Sequence, residues 1–137
     1  MKLRIVLVVL VLLVGVGVFY KQYGRSAPAS ISGGPLLNIQ SKDHSFGTVK
    51  PGTPLRFGFE VKNDGDAVLE IQQVNPSCGC TTSSFDKTIA PGKSGAINLA
   101  IEHTESYAGE IAKTATVVTN DPKNNNFTLT LRANFVK

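Results

Sequence analysis

In the segment Leu55-Arg56-Phe57-Gly58-Phe59-Glu60-Val61-Lys62, large apolar side chains fall on the odd positions and nowhere else. A period of two belongs to a strand with one face in a core and the other in water, and a helix cannot produce it. The same parity returns in Ile97, Leu99 and Ile101, and again in Phe127, Leu129, Leu131, Ala133 and Phe135. These segments read as half-buried antiparallel strands. Ala67 to Val74 begins with Leu69 and Ile71 inward and then moves its parity to Val74 across Gln72-Gln73, which predicts a bulge. Ile111 to Thr119, with Ala115 and Val117 on one parity, supplies a fifth strand, and short strands are expected near Leu37 to Gln40, Phe46 to Val49 and Thr81 to Phe85. Pro51-Gly52, Asn63-Asp64-Gly65-Asp66, Pro91-Gly92 and Asn120-Asp121-Pro122 punctuate them as turns. Seven to eight strands at roughly ten-residue spacing predict an all-β, immunoglobulin-like β-sandwich, with a small barrel as the alternative. The chain has no Trp and only two cysteines, which are close neighbours, so this is no antibody-type domain with a disulfide spanning the sheets. No internal repeat is visible, and the patterned region amounts to one domain of about 100 residues.

A different kind of segment precedes it. Ile5 to Tyr20 carries no charge and is interrupted only by Gly15 and Gly17, with Lys2 and Arg4 before it and Lys21 and Arg25 after it. A basic start followed by an apolar run is an export signal. As a helix the run reaches roughly 24 to 27 Å, slightly short of the ~30 Å hydrocarbon core, and the flanking Lys21 and Arg25 can snorkel across the difference. Residues 1–25 are therefore expected to be an N-terminal transmembrane signal anchor, with the C-terminal domain extracytoplasmic. Ala27-Pro28-Ala29 offers an alternative, cleavage near Ala29 and a secreted or periplasmic product, but it lies far from the apolar run and follows two positive charges. Residues 26–35, rich in Ser, Ala, Gly and Pro, read as a flexible linker, and 36–137 as the sandwich.

The leader also explains the charge. Its four basic residues, out of 14 Lys and Arg in the chain, account for the net +4, and the remainder balances the ten Asp and Glu. With no basic stripe in the folded part, nucleic-acid binding is not expected.

Cys78-Gly79-Cys80 is the one unusual constellation. In an extended strand two such Cα atoms stand about 6.6 to 6.8 Å apart, at the edge of what a disulfide tolerates, so a bond requires a kink at Gly79. As a staple it would contribute only roughly 1.6 kcal/mol by chain entropy, and a strained bridge of this kind is comparatively easily reduced. Three readings compete: two small structural side chains, free or bridged; thiol-disulfide chemistry, although the usual Cys-x-x-Cys on a thioredoxin-like scaffold is missing; and soft-metal binding of Cu(I) or Zn(II) with an imidazole. His44 and His103 are the only histidines that could complete such a site. His103 continues the inward parity of Ile97, Leu99 and Ile101, and His44 falls in a polar turn before Phe46, so ordinary structural roles account for both.

Several pieces recur together in a fixed order: Phe46-Gly47-Thr48-Val49 with Pro51-Gly52, Phe57 to Asn63 leading to Gly65-Asp66, Ser77-Cys78-Gly79-Cys80-Thr81, Ile89 to Gly95, and Thr119-Asn120-Asp121-Pro122. On these, Asp43 to Val136 resembles the bacterial family of unknown function numbered 1573, grouped with the hydin-like immunoglobulin-like domains. The resemblance implies an immunoglobulin-like sandwich in exported bacterial proteins and leaves the molecular role open.

No nucleophile elbow, zinc-protease helix or phosphate-binding loop is present, and Asp64, Asp66, Glu70 and Glu110 fall where solvated charge is ordinary. An Asp64/Asp66 calcium site is less natural than a turn. The expectation is a non-enzymatic, membrane-tethered binding or scaffolding module with a protein partner and no cofactor. The alternative is a redox or copper-binding protein that uses Cys78 and Cys80.

Overall fold

The computed structural model describes residues 33–137. The anchor helix expected over 1–25, and all but the last three residues of the expected linker, lie outside them. Nine strands follow one another: β1 (Leu37–Ile39), β2 (Asp43–Val49), β3 (Leu55–Asn63), β4 (Leu69–Pro76), β5 (Thr81–Phe85), β6 (Thr88–Ile89), β7 (Ser94–Ile101), β8 (Gly109–Thr119) and β9 (Asn126–Phe135). They form two sheets, one in the order β1-β3-β7-β5 and the other in the order β2-β9-β8-β4-β6. The all-β sandwich is thus as read from the alternation. The additional strand, β6, pairs only Ile89 and Thr88 with Leu69 and Glu70, and two residues are too few to show a period.

The core is built from the residues that the parity selected. Phe59 and Val61 of β3 and Ile97, Leu99 and Ile101 of β7 are buried against Leu69 and Ile71 of β4, Ala115 and Val117 of β8, and Leu129, Leu131 and Ala133 of β9. Fully burying each of the larger of these side chains is worth about 1.5 to 3 kcal/mol, and they form one continuous cluster. The expected bulge in β4 is present: Ile71 faces Thr119 but Gln73 faces Val118, so Gln72 and Gln73 both point to solvent and Val74 returns to the core.

Three features differ from the simple pattern. The β2–β9 pairing is parallel, Asp43 opposite Thr130 and Val49 opposite Phe135, within an otherwise antiparallel molecule. Phe57, on the inward parity, is only half-buried. Its strand is flanked on that side by β1, which reaches no further along β3 than Val61. The uncovered ring is met by His44, stacked at 3.5 Å between centroids and 10° between planes. With Phe46 edge-on to His44 at 4.7 Å and Phe59 edge-on to Phe57 at 4.9 Å, an aromatic series closes this seam between the sheets. Finally, two polar side chains besides Thr104 sit fully inside.

Those two, Asn63 and Asp121, are both 0% exposed and fully hydrogen-bonded, as burial requires. Asn63 Nδ2 donates to the carbonyls of Ala67 (2.8 Å) and Ile89 (2.9 Å), and its Oδ1 accepts from the Gly65 N–H at 3.0 Å. Asp121 accepts from the N–H groups of Leu37 and Lys123, each at 2.8 Å, and from Asn124 Nδ2 at 3.0 Å. Burial pushes the Asp121 carboxyl up, but the bonds from Asn124, Leu37 and Lys123 outweigh it and hold the group below the usual carboxylate range. The two residues tie β1 to the turns after β3 and β8, so the described chain comes in at that end of the sandwich. At the opposite end lie the turns after β2, β4 and β7, and there the Val136 N–H bonds the Val49 carbonyl at 3.0 Å as the chain leaves β9.

Candidate functional site

The far end is where β4 hands the chain from one sheet to the other. Pro76 ends the strand, because its ring nitrogen has no proton to give the ladder. The Ser77 N–H then bonds the Thr114 carbonyl at 2.8 Å, and the Thr114 N–H returns to Ser77 Oγ at 3.3 Å. Cys78, Gly79 and Cys80 follow as a tight turn, closed by the Thr81 N–H on the Cys78 carbonyl at 3.2 Å and held to the neighbouring strand by the Glu102 N–H on the Cys80 carbonyl at 3.3 Å. Turning brings the Cα atoms of Cys78 and Cys80 to 5.4 Å, inside the range a disulfide needs, and the two sulfurs are bonded. Gly79 does not owe its place to conformation. Its φ lies outside the left-handed region and a Cβ there would meet nothing within 4 Å, so the kink expected to depend on glycine is one any residue can make.

Both cysteines are half-exposed, and each sulfur has one polar neighbour. Cys78 Sγ lies 3.4 Å from Thr81 Oγ1. The Tyr107 hydroxyl donates to Cys80 Sγ at 3.2 Å. Tyr107 comes from the loop after β7, where its N–H bonds the Thr104 carbonyl at 3.1 Å and its ring rests 5.5 Å from that of Phe135. The Lys113 ammonium stands over the same ring, 5.1 Å from its centroid.

The histidines are placed elsewhere. His44 is not in a turn but inside β2, committed to the aromatic seam. His103 does not continue the inward parity: β7 ends at Ile101, the chain goes left-handed at His103 (φ 55°), and the imidazole is exposed while Thr104 turns inward to bond the Thr53 carbonyl at 2.8 Å. Among the described residues no three His, Cys, Asp or Glu side chains gather as metal ligands. Asp64 pairs instead with the Lys62 ammonium at 2.6 Å and with the Asn38 amide at 2.5 Å, which hold its carboxyl below the ordinary range.

β5 starts directly after the cysteine turn and is the outer strand of its sheet, bonded to β7 and to no other strand. Its residues, Thr-Thr-Ser-Ser-Phe, include no charge and no proline, the devices that ordinarily blunt an edge. The other outer strands are protected: β1 has three residues, β6 has two, and β2 is broken between Ser45 and Thr48 around the left-handed Gly47. Beside β5 the outer face of its sheet dips over Gly58 into a depression of about 500 Å³, lined by Arg56, Thr82, Ser84, Asn98, Ala100 and Glu102 among others.

This arrangement has known relatives. The model of a protein family of unknown function, DUF1573, matches residues 37–135, the whole of the nine-stranded sandwich. The chain belongs to this family. Among curated proteins nothing matches this chain. Among solved structures it is similar to a protein of unknown function from Porphyromonas gingivalis, at 21% identity and a TM-score of 0.66, over 80% of this chain and 51% of that one. The chain thus spans about half the length of that protein. It is also similar to the PapD-like domain 7 of human CEP192 (14% identity, TM-score 0.53, 74% and 85% covered) and to the periplasmic chaperone SfaE (8%, 0.51, 74% and 58%). At these identities what is shared is the PapD-like, immunoglobulin-like fold.

Tyr107 went unnoticed in the sequence, and Asn63 and Asp121 were read only as turn residues, not as buried caps. For Asn63 and Asp121 a signal exists: each lies on the inward parity of its strand, at or just past the last apolar position, so a turn-type residue there marks a buried cap. Tyr107 stands in an unpatterned loop and has none.

Proposed function

We propose that the DUF1573 domain is a non-enzymatic protein-binding module, held at the extracytoplasmic face of a membrane by residues 5–20, that takes an extended segment of a partner protein along β5. The open β5 edge carries this reading. A strand at a sheet edge presents backbone N–H and C=O groups in a row, and an incoming extended segment satisfies its own groups by joining that row. Thr82, Ser84 and the polar depression beside them give the alternate side chains of such a segment hydrogen-bonding neighbours. The export signal supports the compartment, and the likeness to a periplasmic chaperone is in keeping with it.

Capture from detergent-solubilised membranes with the full chain, leader intact, tests the proposal. Both Thr82 and Ser84 are exposed, so Thr82→Lys with Ser84→Lys leaves the core untouched while placing two charges on the edge. Wild type is expected to retain a specific protein that the double variant loses at an unchanged melting temperature. Equal recovery of that protein by both forms refutes the β5 edge as the site.

A further inference from the structure

Beyond binding, we propose that the Cys78–Cys80 disulfide is an exchangeable oxidant of dithiols, in which Cys78 is the sulfur attacked and Cys80 is the leaving sulfur. Exchange requires a sulfur that a thiolate can approach, a leaving thiolate that is stabilised, and a fold that survives the opened bond.

Approach is provided by the half-exposed position at the tip of the molecule, with open space on the Gly79 side. Stabilisation is unequal between the two sulfurs. A phenol donates to Cys80 Sγ at 3.2 Å, and the Lys113 cation over its ring draws electron density away and strengthens that donor. Cys78 has only the longer contact at 3.4 Å from the Thr81 hydroxyl, an aliphatic O–H that is a weaker donor than the phenol and has no cation beside it. A hydrogen bond to sulfur favours the thiolate, so Cys80 is the better leaving group. Other charge near the turn is distributed as follows. Glu102, whose N–H holds the Cys80 carbonyl, is paired with Arg56 at 2.9 Å, and His103 and Glu105 lie exposed on the loop that carries Tyr107. Survival is provided by the backbone bonds of Ser77, Thr81 and Glu102, none of which involves sulfur. They keep the two cysteines adjacent after reduction, ready to be reoxidised.

The step balances with a dithiol as the reductant. One of its thiolates attacks Cys78 Sγ in line with the S–S bond, a mixed disulfide forms, and the bonding pair leaves on Cys80 Sγ, held by the Tyr107 O–H. The second thiolate of the dithiol then displaces Cys78. The dithiol becomes a disulfide, two electrons pass to the domain, and the two protons of the dithiol end on Cys78 and Cys80.

Tyr107→Phe keeps the ring against Phe135 and removes only the donor. In the full chain, reduction by dithiothreitol is expected to be three- to tenfold slower in this variant than in wild type, with the melting temperature unchanged. With glutathione as the probe, followed by an alkylating quench, fragmentation of the peptide should place glutathione on Cys78 and the alkyl group on Cys80. In single variants, alkylation rate against pH should give Cys80 (in Cys78→Ser) a lower pKa than Cys78 (in Cys80→Ser), and adding Tyr107→Phe should remove the difference. Equal reduction rates with and without the hydroxyl overturn the proposal, as does glutathione found on Cys80. These measurements do not involve the β5 edge, so loss of partner capture leaves them unaffected.

Discussion

Asp121 carries its charge inside the protein, and the sign of its contribution follows from its neighbours. Because the folded carboxyl is held below its unfolded value of about 3.9, its stabilisation is fully present above that value and is lost as the pH falls through the folded pKa. Asp121→Asn should therefore lower stability at pH 7 by about 3 kcal/mol, since the amide turns an N–H toward donors that need an acceptor, and should flatten the loss expected of wild type as the pH falls below the unfolded carboxyl value of about 3.9. Urea unfolding at pH 7 and pH 3 measures both effects, and parallel pH curves for the two proteins would show that the carboxylate is not responsible. Phe59, 2% exposed, is the corresponding apolar test: Phe59→Ala is expected to cost about 3 to 5 kcal/mol in the same assay. The inward identity of Phe59 was legible because alternation over eight residues admits one reading. The bond that Asp121 accepts from Leu37 was not legible, because that partner lies in β1, more than eighty positions earlier in the chain.

At the scale of the strand, legibility followed length and faces. β3, β7 and β9 have one wet and one dry face and declare themselves, whereas β6 is too short to have a period and the parallel direction of β2 leaves no mark on which residues alternate. The same rule explains why His103 misled: parity extrapolated past Ile101 has no force once the strand has ended. The bulge in β4 gives a sharp test of register. Deleting Gln72 leaves Leu69, Ile71 and Val74 in strict alternation, so the domain should still fold, with a loss of no more than about 2 kcal/mol. Deleting Thr130 from β9 turns Leu131, Ala133 and Phe135 toward water and should abolish cooperative unfolding. Circular dichroism with thermal melting distinguishes the outcomes, and equal damage from the two deletions would mean that the bulge, not the parity, is what the sheet requires.

For the molecule as a whole, the disulfide is a minor structural element, since it closes a turn that the backbone already closes. Replacing both Cys78 and Cys80 by Ser should lower stability by less than about 2 kcal/mol, and a loss of 4 kcal/mol or more in urea titration would make the bridge a structural staple after all. The opposed positions of the two ends of the described residues have a mechanical meaning. Leu37 is held at one end of the sandwich and Phe135 at the other, and β2 lies parallel to β9. Tension applied through residues 33 and 137 draws these two neighbours past each other lengthwise, loading their inter-strand bonds together instead of peeling them one after another. Loaded in this way, the domain would behave as a stiff link and not as a spring.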